Sequence, residues 1–144
     1  MRIVLTAATL AVLGAVAGCS SPPPAKPQPG TLVVGTAAVT VNDADAGSTD
    51  AVACTAAGPL TTITTGDAES GVTALVSNEG ELTAETVSIR NLGGFTGSYN
   101  AGLGGKATVT MTGRTYAITG TADGFATDKP SFRTNGTFAI KVAC

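Results

Sequence analysis

The sequence predicts a mainly β protein: a single small antiparallel β-sheet or sandwich-like domain, preceded by a signal peptide and a Pro-rich tether. Three observations carry this expectation. From Thr31 onward, short runs of Val, Ile, Leu and Thr alternate with Gly, Asn, Asp and Pro turn residues. Aromatics make up 4 % and charged residues 12 % of the chain, with 19 Gly, so the core must come from Val, Ile, Leu, Ala and Thr methyls. The N-terminus is short, apolar and followed by a cluster of prolines.

Arg2 is a minimal positive n-region, and Ile3 to Ala17 are uncharged and mostly Ala, Val and Leu. The run falls short of the roughly 20 residues a spanning helix needs, and it ends in small residues, as a cleaved signal peptide does. Val16-Ala17-Gly18-Cys19 has the form of a lipobox: an aliphatic residue, two small ones, then a cysteine. Small residues let a peptidase take the backbone in extended form, and the thiol sulfur carries the diacylglycerol. Residues 1–18 are therefore expected to be removed, with Cys19 as the lipid-attachment site and the membrane as a partner through that lipid. Two or three acyl chains, at about 0.8 kcal/mol per buried CH₂, make a durable anchor. Residues 19–30 hold five of the seven prolines and form the tether. Such a segment favours polyproline II at about 3.1 Å per residue, enough to lift a domain a few tens of Å from the bilayer.

In the remaining domain, residues 31–144, strands are expected at Leu32–Asn42, Ala51–Ala56, Leu60–Thr65, Val72–Ser77, Glu81–Asn91, Ala107–Met111, Tyr116–Ala122 and Phe132–Ala143. Val72–Val76 reads equally well as helix. Turns are expected at Asp43–Thr49, Gly58-Pro59, Gly66–Gly71, Asn78–Gly80, Thr112–Arg114 and Asp123–Pro130. Period-2 patterning is cleanest at the end, where Phe138, Ile140 and Val142 share one face. Six glycines between Gly93 and Gly105, with Phe95, Tyr99 and Leu103 among them, mark a wide turn or a bulged edge strand, or else a mobile rim over an apolar cavity.

With Cys19 consumed by lipid, Cys54 and Cys144 form an even pair in an oxidising compartment, and a disulfide between them is expected. It would close a loop of about 90 residues and stabilise by about 4–5 kcal/mol in the chain-entropy model.

Chemistry is harder to find. The chain has no His, which removes the commonest general base and the commonest metal ligand. Its formal charge is −2, or −3 once Arg2 is lost, with no electrostatic footprint for nucleic acid. Gly102-Leu103-Gly104-Gly105-Lys106 fails the phosphate-loop pattern, since Asn100 and Ala107 stand where Gly and Ser or Thr are required. Asp43-Ala44-Asp45-Ala46-Gly47 lacks the further ligands of a calcium loop and reads as a solvated turn. Glu79 with Glu81, and Asp67 with Glu69, are paired carboxylates in or beside turns, where charge usually meets water. Asn135-Gly136-Thr137 matches a glycosylation sequon that has no clear meaning in a bacterial export. No catalytic residue, cofactor or metal site is predicted, and the chain reads as a non-enzyme.

Taken together, these residues resemble the mycobacterial 19 kDa lipoprotein antigen family (LpqH-type lipoproteins). The carrying features are the lipobox and tether, Val52-Ala53-Cys54-Thr55-Ala56-Ala57-Gly58, and the Gly-rich stretch leading into Tyr99. Tyr116-Ala117-Ile118-Thr119-Gly120-Thr121-Ala122-Asp123-Gly124, Lys129 to Ser131, and Phe138-Ala139-Ile140-Lys141-Val142-Ala143-Cys144 complete the match. The resemblance implies a lipid-anchored antigen on the extracytoplasmic face. It further implies that the acyl chains on Cys19 are the ligand of a host pattern-recognition receptor of the Toll-like kind. It also implies an alternative, carriage of an envelope lipid or other hydrophobic ligand, for which the chain offers a mean hydropathy of +0.30 that comes largely from the leader. That alternative requires an open apolar groove beside Phe95 and Tyr99.

Overall fold

The alternation after Thr36 resolves into ten antiparallel strands in a computed structural model that describes residues 18, 21–23 and 28–144. The strands are β1 (Ala37–Val41), β2 (Ala44–Thr49), β3 (Val52–Ala57), β4 (Leu60–Gly66) and β5 (Gly71–Ser77). They continue as β6 (Thr83–Leu92), β7 (Phe95–Asn100), β8 (Ala107–Thr112), β9 (Thr115–Ala126) and β10 (Arg133–Ala143). There is no helix among the described residues, and the ambiguous Val72–Val76 lies within β5. The order β2-β1-β10-β9-β7-β6-β5-β4-β3 makes one sheet that curls into a nearly closed barrel. β9, twelve residues long, serves two neighbours along one edge: β8 pairs with its first half and β7 with its second.

The sheet curls because one face of each strand is apolar and must leave water. Val39, Ile63, Val87, Ile118, Ile140 and Val142 meet in the interior, all nearly inaccessible. In β6 the inward set changes parity, from Ala84 to Val87 and Ile89, and a bulge opposite Leu75 and Val76 absorbs the odd residue. Buried polar groups are satisfied: Thr65 Oγ1 accepts from the Val72 amide at 3.2 Å, and no buried side-chain N or O among the described residues lacks a partner.

The hairpins expected at Gly58-Pro59 and Thr112–Arg114 are present, closing Ala57 onto Leu60 and Thr112 onto Thr115. Three expectations need correction. The turn placed at Asp43–Thr49 is only two residues long. Asn42 and Asp43 both take positive φ (51° and 62°), as a tight hairpin matched to strand twist demands, and β2 begins at Ala44. A bulge at Ala46, where the Gly47 amide donates to Asp45 Oδ1 at 2.8 Å, fits the remaining turn formers into an edge strand.

The Gly-rich stretch is neither a wide turn nor an edge. Gly93-Gly94 form a tight turn with φ of 57° and 72°, and Phe95–Asn100 follow as β7, hydrogen-bonded on both sides to β6 and β9. Only Ala101–Lys106 remain as loop. The turn placed at Asp123–Pro130 starts later, because β9 runs on to Ala126. A Cβ on Gly124 would stand 2.0 Å from the Thr96 carbonyl oxygen, so the close approach of β7 requires glycine there. Smaller shifts affect the strand starts: β1 begins at Ala37, β6 at Thr83 and β10 at Arg133.

Candidate functional site

Cys19, like residues 1–17 and part of the tether, lies outside the described residues. What the structure does place is the point where the tether joins the sheet. The Leu32 amide donates to Thr115 Oγ1 at 3.0 Å, the Gly35 amide to the Ala143 carbonyl at 2.8 Å, and the Ala143 amide to the Thr36 carbonyl at 2.9 Å. The lead-in is thus docked alongside the end of β10. Cys144, the next residue, is bonded to Cys54 of β3, with 5.9 Å between their Cα atoms. Its amide donates to the Arg114 carbonyl, and the Arg114 guanidinium donates to the Cys144 carbonyl oxygen at 2.8 Å. The expected pairing of Cys54 with Cys144 is therefore seen. It ties the outermost strand β3 to the pole of the barrel that receives the tether.

The paired carboxylates are not brought into a common site. Asp67 Oδ1 accepts from the Ser70 and Glu69 amides at 2.8 and 2.9 Å, closing the β4–β5 loop on itself. Those two donors, Ser70 first, hold its carboxyl below the ordinary aspartate range; nearby Arg90 adds to the effect and slight desolvation opposes it. Among the described residues, no group of three or more His, Cys, Asp or Glu is placed to hold a metal ion.

A different constellation forms on the outer face of β7, β9 and β10. The registers set Ser98 opposite Asp123 and Asp123 opposite Asn135, a polar row across three strands. The next row outward-facing along the strands, about 7 Å away, is Thr96, Phe125 and Arg133. Arg133 reaches diagonally to pair with Asp123. The loop Ala101–Lys106 stands over one side, fixed by the Thr121 amide donating to the Lys106 carbonyl at 2.9 Å. Together they enclose a cleft of about 530 Å³ lined by Ser98, Asn100, Leu103, Asp123, Arg133 and Asn135, among others. A second hollow of about 310 Å³ adjoins it and shares Ser98, Asp123 and Arg133.

The inner side of these rows is packed. Phe95, 2 % exposed, lays its ring beneath Gly97 and Gly136, whose added Cβ atoms would meet ring carbons at 2.6 and 2.9 Å. Phe95 therefore fills the core, and the Gly-rich segment borders a cleft of mainly polar side chains in place of the apolar cavity considered from the sequence.

The sequence marks the Leu103–Gly105 rim of this cleft, but not its polar strand residues Ser98, Asp123, Arg133 and Asn135 as a site. Asp123 was read into a turn and Asn135 as part of a chance sequon. The available clue is that polar residues at 96, 98 and 100, at 121 and 123, and at 133 and 135 are spaced two apart, with Gly97, Tyr99, Ala122 and Thr134 between them. That pattern marks a solvent face but leaves open which strands lie side by side.

A family profile described as the Mycobacterium 19 kDa lipoprotein antigen matches residues 30–144. A lipoprotein-designated protein of Mycobacterium indicus pranii is 39 % identical over 137 residues, covering 94 % of this chain and 91 % of its own. A similarly designated protein of Mycobacterium avium subsp. hominissuis is 36 % identical over 131 residues, covering 90 % and 86 %. Lipoprotein LpqH of Mycobacterium tuberculosis is 34 % identical over 107 residues, covering 74 % of this chain and 67 % of its own.

Proposed function

This chain belongs to the Mycobacterium 19 kDa lipoprotein antigen family, and on that premise we propose that it is a non-enzymatic antigen displayed on the extracytoplasmic face of the cell envelope. Acyl chains on Cys19 hold it there and are also what a host pattern-recognition receptor of the Toll-like kind engages. The observation that carries this reading is the lipobox Val16–Cys19 followed by a proline tether, in a member of a lipoprotein antigen family. The relatives named above are lipoproteins by name rather than enzymes.

The physics of such recognition resides in the anchor. An acyl chain moved from the bilayer into an apolar receptor pocket exchanges one hydrocarbon environment for another, so specificity comes from the headgroup and the first residues after Cys19. Polyproline II over residues 19–27, at about 3.1 Å per residue, would hold the folded domain back by a few tens of Å before the turn that Gln28 and Thr31 close, and would leave the lipid end sterically free.

The test is Cys19→Ser in a mycobacterial host, read by mass spectrometry of the membrane fraction and by a receptor-reporter cell line. The variant should carry no acyl mass, leave the membrane fraction and lose the reporter signal. Undiminished signal from acyl-free protein would refute the role given to the lipid.

A further inference from the structure

The outer-face cleft takes no part in anchoring, yet it is the feature of the domain built most like a binding site. We propose that the cleft across β7, β9 and β10 is a saccharide site that takes a neutral, hydroxyl-rich glycan chain of the cell envelope.

The chemistry of its walls selects this class of ligand. Asn100 and Asn135 each present donors and an acceptor, Asp123 accepts, Arg133 donates, and Ser98 and Thr121 do both. Each sugar hydroxyl is likewise donor and acceptor at once, so a mixed set of planar amide, carboxylate and guanidinium groups is its natural complement. Phe125, half-buried between Thr96 and Arg133, gives the adjoining hollow an aromatic face suited to the C–H face of a pyranose ring.

Charge argues against the other polar ligands. Asp123 and Arg133 neutralise each other. Arg90, the other cation of the adjoining hollow, already donates to Thr73 Oγ1 at 2.9 Å and to the Asp67 carbonyl at 3.0 Å. The residues lining the cleft therefore carry no net positive charge for phosphate or sulfate, and their mainly polar character suits an acyl chain poorly.

Preorganisation and position point the same way. The polar rows stand on three paired strands whose inner side is filled by Phe95, so little backbone freedom is left to lose on binding. Leu103, 83 % exposed at the tip of the loop, overhangs the cleft with an apolar lip that a bound chain would cover. The eight residue steps along β10 from Asn135 to Ala143 put the cleft about 25 Å from the point where the tether docks. An anchored molecule therefore turns this face toward the wall and away from the bilayer. The cleft is open and its volume sits within the range of ligand sites, which fits a weak, repeating contact with a dissociation constant on the order of 1 mM.

Saturation-transfer difference NMR on the detergent-solubilised, full lipoprotein tests this directly. The probes are neutral tetrasaccharides of arabinose, mannose, galactose and glucose, with a sulfated heparin tetrasaccharide and a sialylated host-type tetrasaccharide as the charged arms. At least one neutral probe should show saturable transfer. Asp123→Ala, Asn135→Ala and, on a separate strand, Asn100→Ala should each weaken it about ten-fold, while Thr110→Ala on β8 leaves it unchanged. Transfer from no neutral probe at millimolar concentration, transfer confined to the charged arms, or transfer indifferent to all three cleft variants would each overturn the assignment.

Discussion

Replacing Cys54 and Cys144 together by Ser opens a covalent loop spanning 90 residues of sequence. In the chain-entropy model the bridge removes about 15–16 cal/mol/K from the denatured ensemble, or about 4–5 kcal/mol at 25 °C. A domain of this size has about 5–15 kcal/mol in total, so the loss is between a third and nearly all of its stability. The structure says where it is felt first. β3 has a ladder partner on one side only, β4, and its bond to Cys144 is its covalent link to the β1–β10 side of the barrel. Urea unfolding followed by circular dichroism should show a drop of about 3–5 kcal/mol and a melting point lower by about 15 °C. Hydrogen exchange in β3 should accelerate ahead of β9 and β10. A loss under about 1 kcal/mol would refute the reasoning. It would mean that the denatured chain is already compact enough for the bridge to constrain little.

Two further outcomes follow from local geometry. Gly136→Ala puts a methyl 2.9 Å from the Phe95 ring, and forcing the ring aside should cost about 1–3 kcal/mol by urea unfolding. Adding Phe95→Leu to that variant should give a double mutant less destabilised than the two single costs summed, and strict additivity would contradict the contact. Asp67→Asn keeps an oxygen in place for the Ser70 and Glu69 amides but removes the charge. Because those amides lower the folded pKa, the wild-type contribution is full above the ordinary value of 3.8 and is lost as pH falls through the lowered one. The acid limb of stability against pH should therefore be shallower in the variant; identical limbs would show that Asp67 is not coupled to folding.

Which parts of the fold were legible follows from where their determinants lie. β10 could be read because Phe138, Ile140 and Val142 carry both the strand period and the buried face within one segment. The disulfide could be read from cysteine parity. β2 could not: it lies at the sheet edge with neither face fully buried, and Asp45 and Gly47, which look like turn formers, flank a bulge at Ala46. β7 was hidden for a different reason. Gly97 is a core position whose side-chain space is occupied by the ring of Phe95, so the sequence shows flexibility where the fold needs room. The tail of β9 was lost to Asp123 and Gly124, turn formers that here serve a polar outer face and a close strand approach. The cleft depends on the last two of these, β7 and the tail of β9. Its row of Ser98, Asp123 and Asn135 exists only through registers joining residues 25 and 12 positions apart.

Those registers also divide the molecule. At one pole the tether, the end of β10 and the Cys54–Cys144 bridge meet, joined by backbone hydrogen bonds and a covalent link. Toward the other lie the tight turns at Asn42-Asp43 and Gly93-Gly94, the β9–β10 loop and, on the flank, the polar cleft. The two ends stand about 25 Å apart along β10. Acyl recognition needs only Cys19 and the first tether residues to be reachable, whereas a wall contact needs the domain held upright at a fixed reach. On the proposals above, the same proline-rich segment would serve both by separating them: its length would set how far the cleft projects, and its prolines would favour an extended chain between the folded domain and the lipid.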